Sequence, residues 1–90
     1  MRLQFSKMVQ FSLLVKAGDR LREFNFRKLK LPHEDLFSVN VCDERGNRVM
    51  FNMEKIEEEW KVIASGRIPR WIVQNETRLQ EALAEELRSW

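Results

Sequence analysis

Ninety residues with 43% hydrophobic and 10% aromatic side chains suffice for one core; they exclude a disordered chain and leave no material for a second large domain. The charged fraction of 33% exceeds the roughly 25% typical of globular chains, so a strongly solvated surface is expected. No stretch approaches the roughly 20 apolar residues that span a bilayer, and the single Cys42 forms no internal disulfide; both point to a cytoplasmic chain with no membrane partner.

In chain order, the odd positions Leu3, Phe5, Val9, Phe11, Leu13 and Val15 are apolar and the even ones mostly Gln, Ser and Lys. This is the period-two pattern of a half-buried strand, broken at Lys7, Met8 and Leu14. Ala17, Gly18 and Asp19 make a turn. A second run, Arg22 to Leu31, sets Phe24 and Phe26 on one face before its apolar parity switches at Leu29, which suggests a bulge near Arg27 and Lys28. Leu31 to Asp35 carries Pro32 and reads as loop. Phe37, Val39 and Val41, then Val49, Phe51 and Met53, alternate with polar residues across a connector containing Gly46, which predicts a hairpin.

Residues 54–64 fit two patterns, helical through Met53, Ile56, Trp60 and Ile63, or extended through Trp60, Val62 and Ala64. The strand is favoured, with Glu57, Glu58 and Glu59 in the turn before it. Pro69 suits a first helical turn, and Ile72, Leu79, Leu83, Leu87 and Trp90 then fall near one helical face. Thr77 and Gln80 have capping-box spacing, which allows a break near Asn75.

The fold predicted is α+β, a single domain over residues 1–90. An antiparallel sheet of four or five strands, near 3–16, 22–31, 36–43, 48–54 and 60–63, packs against one C-terminal amphipathic helix near 69–89. Strands followed by a terminal helix resemble, in architecture alone, the small single-stranded-DNA-binding coactivator domains; no residue motif carries the resemblance further.

The net charge of +2 conceals an asymmetry. Residues 1–30 hold eight Lys or Arg against two acids, residues 31–60 three against eight, and residues 61–90 five against four. In an antiparallel sheet such strands can neutralise each other, or leave an anion-binding face. Arg22, Arg27, Lys28 and Lys30 flank Phe24 and Phe26, while Arg45 and Arg48 frame the hairpin turn. Cations mixed with aromatics are the means by which single-strand nucleic-acid binders combine phosphate neutralisation with base stacking. Against this, Phe24 and Phe26 also fit the core face, and the middle third is acidic.

Chemistry-bearing motifs are sparse. His33 and Cys42 lack the paired spacing of metal ligands, Cys42 has no activating base nearby in sequence, and no phosphate loop or nucleophile signature is present. No catalytic residue, metal or cofactor is therefore assigned, and an enzyme would need His33, Glu34 or Asp35 to converge with other polar groups. The leading expectation is a non-enzymatic interaction domain whose partner is a second copy of itself or another protein, through a sheet edge or an aromatic patch with Trp71 and Trp90 at the interface. The alternative is a single-stranded nucleic-acid-binding module using the basic residues.

Overall fold

The alternation of apolar and polar residues builds one antiparallel sheet. The computed structural model describes residues 9–29, 35–64 and 66–89. These form β1 (Gln10–Ala17), β2 (Arg20–Lys28), β3 (Leu36–Cys42), β4 (Arg48–Ile56), β5 (Glu59–Ile63), α1 (Arg70–Val73) and α2 (Glu76–Arg88). Sheet order follows chain order, β1-β2-β3-β4-β5, with every neighbouring pair antiparallel. The sheet curls, and with the terminal helix it makes the fold α+β.

Local chemistry explains each hairpin. Between β1 and β2, Gly18 takes φ +75° at the first of two turn positions, the place where a II′-type turn requires glycine. Between β3 and β4, the Asp43 Oδ1 accepts the N–H groups of Arg45 at 2.9 Å and Asn47 at 2.8 Å, and Gly46 sits at φ +83°. Between β4 and β5, Glu57 and Glu58 adopt φ 53° and 72°, the left-handed pair that tight hairpins usually give to Asn-Gly. Two side-chain-bearing residues there store backbone strain. Glu57 and Glu58 thus form the turn, whereas Glu59, expected in it, opens β5, and residues 59–63 are strand rather than helix.

Three expectations are corrected. No bulge interrupts β2, whose register with β3 runs unbroken from Asn25 to Lys28; the parity switch at Leu29 marks the strand's end. The single helix over 69–89 is two. Asn75 makes the break, because its Nδ2 donates to the Trp71 carbonyl at 2.7 Å while its own carbonyl accepts from the Leu79 N–H at 3.1 Å. One residue therefore satisfies the end of α1 and starts α2. Thr77 lies inside α2, so its spacing to Gln80 is not a capping box. The predicted first segment of strand, residues 3–8, lies outside the described residues.

The core fills the concave face. Phe24, Phe26, Phe37, Val39, Val41, Met53, Ile72, Leu79 and Leu83 are fully buried. Phe11, Phe26, Phe37 and Trp60 form an aromatic row from β1 to β5, with the Phe11–Phe26, Phe26–Phe37 and Phe37–Trp60 centroids 5.3, 6.2 and 5.3 Å apart. α2 lies against β1 and β5, the two edge strands, and so spans the mouth of the curl. At that contact the Glu76 carboxylate accepts the Val62 N–H at 2.7 Å, satisfying a backbone donor on the edge of β5. Each buried leucine of α2 contributes about 1.5–3 kcal/mol of burial.

Candidate functional site

With the helix on one face, no described element covers the opposite face of the sheet, and the register determines what it presents. Gln10, Arg27, Ser38, Asn52 and Ile63 stand in one cross-strand row, and Ser12, Asn25, Asn40 and Met50 in the next. Asparagine is depleted in strands, yet Asn25 and Asn40 face each other across β2 and β3, and Asn52 stands in the neighbouring row. The first two are wired together. Ser12 Oγ donates to Asn25 Oδ1 at 2.5 Å, Asn25 Nδ2 donates to Asn40 Oδ1 at 3.0 Å, and Arg48 donates to the same oxygen at 2.6 Å.

This wiring uses up acceptors and leaves donors. Asn40 Oδ1 accepts twice, and among the described residues its Nδ2 meets no acceptor, which leaves its protons and the remaining N–H groups of Arg48 to give. Arg27 is exposed, and among the described residues neither Arg27 nor Arg48 meets a carboxylate. The two rows contain no acid; Glu23 and Glu54 lie in the rows beyond, and Glu59 is held by Lys61 at 2.9 Å. That contact raises the Lys61 ammonium above its usual pKa. Two open depressions follow the rows. One of about 480 Å³ is lined by Gln10, Ser12, Asn25, Arg27 and Asn40, and another of about 420 Å³ by Ser38, Met50, Asn52, Ile63 and Arg67.

The cations singled out in the sequence do not share this face. Arg22 is buried, its side chain 5% exposed, in the fork where β2 and β3 diverge. Its Nε donates to the Ala17 carbonyl at 3.0 Å and its second nitrogen to Glu44 at 2.8 Å, and its guanidinium lies 3.9 Å from the Trp71 ring centre. The hydrogen bond from Arg22 holds the Glu44 carboxyl below the usual carboxylate range. Lys28 sits on the helix side, 3.6 Å from Asp35 and over the Phe37 ring. Arg45 is exposed at the β3–β4 turn; Arg27 belongs to the first polar row, and Arg48, opposite Cys42 in the row beyond the second, reaches that second row through its bond to Asn40. Lys30, His33, Glu34 and Trp90 lie outside the described residues.

The aromatics are likewise placed inward. Phe24 and Phe26 are 0% and 1% exposed on the helix side, so they are closed to a stacking base. Trp71 is half-buried beneath Arg22. Among the described residues no three His, Cys, Asp or Glu side chains cluster as metal ligands would, and no helix is long and apolar enough to cross a membrane.

What the sequence reading missed is the asparagine ladder. Its members Asn25 and Asn40, like Asn52 in the next row, are scattered in sequence, and only their shared polar parity within each strand hinted that one face would collect them. In comparisons with known proteins, no family model, no curated protein and no solved structure matches this chain.

Proposed function

We propose that this chain is a non-enzymatic binding module whose outer sheet face holds the backbone of a single-stranded nucleic acid. The observation that carries this reading is the donor-rich ladder of Asn25, Asn40 and Arg48 beside Arg27, which meets no carboxylate among the described residues. Asparagine, serine and arginine are the side chains that grip phosphate and sugar oxygens. The two acid-free rows cross the strands, which gives an extended ligand a path from one depression to the other. Because Phe24 and Phe26 are buried, the backbone supplies the affinity, and little preference among bases follows.

Fluorescence anisotropy of a labelled oligonucleotide tests this. Expected is saturable binding at low salt with a log–log salt slope of roughly −1.4, about −0.7 for each phosphate met by Arg27 and Arg48. The double substitution Arg27→Glu and Arg48→Glu should abolish it. Binding that survives the double substitution, or no binding at low salt, overturns the proposal. So does a polyglutamate competitor that binds as tightly as the oligonucleotide, because the face would then be selecting acidic peptide.

A further inference from the structure

Leu14 breaks the alternation of its strand, and the structure leaves it on the outer face, 68% exposed. Leu21, across the same hairpin, is 62% exposed. The β1–β2 register sets Leu14 opposite Glu23 and Lys16 opposite Leu21. These four side chains form a square, with the leucines on one diagonal and the opposite charges on the other; neighbours along such a diagonal lie roughly 7–8 Å apart. Among the described residues neither Lys16 nor Glu23 has an ion-pair partner.

We infer that this square is a self-association surface whose partner is a second copy of the chain. A two-fold axis lying in the surface along the leucine diagonal returns each leucine to its own position and exchanges Lys16 with Glu23. Two copies placed face to face about that axis therefore set Leu14 on Leu14 and Leu21 on Leu21, and they bring Lys16 against Glu23 twice. Such a patch is its own complement, which a two-fold interface requires. The leucines supply the apolar centre, and the paired charges fix the orientation. The contact is smaller than standard interfaces, so association is weak and concentration-dependent. It rests on residues outside the polar rows and stands whether or not those rows bind nucleic acid.

Sedimentation velocity from roughly 10 µM to 1 mM protein tests the inference. The mean mass should rise from 10.9 kDa toward twice that value. Lys16→Glu alone or Glu23→Lys alone opposes like charges at both symmetry-related contacts and should weaken association at least about tenfold. The double swap, Lys16→Glu with Glu23→Lys, rebuilds both contacts and should restore it. All four positions are exposed, so circular dichroism of the variants should match the parent. A chain that stays monomeric throughout, or one whose association ignores the swaps, overturns the inference.

Discussion

Arg22 and Arg27 occupy the same strand on opposite faces of the sheet, and their surroundings differ in every respect. Arg22 is enclosed, with a carbonyl, a carboxylate and an indole ring around its guanidinium. Arg27 is exposed and meets no carboxylate among the described residues. The helix side neutralises its cations within the molecule, as Lys28 with Asp35 also shows. The outer side pairs Lys61 with Glu59 but leaves Lys16, Arg27 and Arg48 without a carboxylate among the described residues. A charged residue's contribution to stability and its availability to a ligand thus separate by face, even where sequence separation is small.

Neighbouring residues give the sharpest test of this division. Phe26→Ala should cost about 3–5 kcal/mol, since it empties a fully buried position between the Phe11 and Phe37 rings. Asn25→Val, one residue earlier, removes two hydrogen bonds from a solvated face but gains strand propensity, so urea unfolding should move by no more than about 1 kcal/mol while oligonucleotide binding weakens. A loss at Asn25 approaching that at Phe26 would make the ladder a structural device and break the comparison.

The arginines come next. Arg22→Ala should destabilise by about 2–3 kcal/mol through lost packing and lost hydrogen bonds, and Arg27→Ala by less than about 0.5 kcal/mol. The smallest effect is in acid. Because Arg22 lowers the Glu44 pKa in the folded chain, the contact stabilises above the ordinary carboxylate pKa and is lost as pH falls through the lowered folded value. Thermal unfolding below about pH 4 should therefore drop more steeply for the parent than for Glu44→Gln, whose profile lacks this contribution. Identical profiles would show that the contact does not couple to folding.

Much of this division was legible before the structure, and the reason lies in strand parity. Phe37, Val39 and Val41, with Val49, Phe51 and Met53, alternate so regularly that the hairpin and its buried face followed at once. Trp60 and Val62 favoured a strand at β5 over the helical pattern that the same residues also fit, and the Thr77–Gln80 spacing raised a break near Asn75 although Thr77 itself lies inside α2. Arg22 shares its parity with Phe24 and Phe26, so the same rule places it inward; reading the basic residues as a density of charge obscured that. The ladder was harder to see. Asn25 and Asn40 become neighbours only through the β2–β3 register, which depends on long-range packing that no local pattern contains.

The bond from Glu76 to Val62 has a further consequence for life at high concentration. A fibril grows when an incoming extended segment offers carbonyls to the waiting N–H groups of an outermost strand. At Val62 that docking point is already filled by a side chain anchored to the first turn of a helix, so a templating segment must first dislodge the carboxylate and then lift α2. Glu76 thereby acts as a stopper against cross-β growth at that end of the sheet, built from a single side chain and independent of anything the outer face binds.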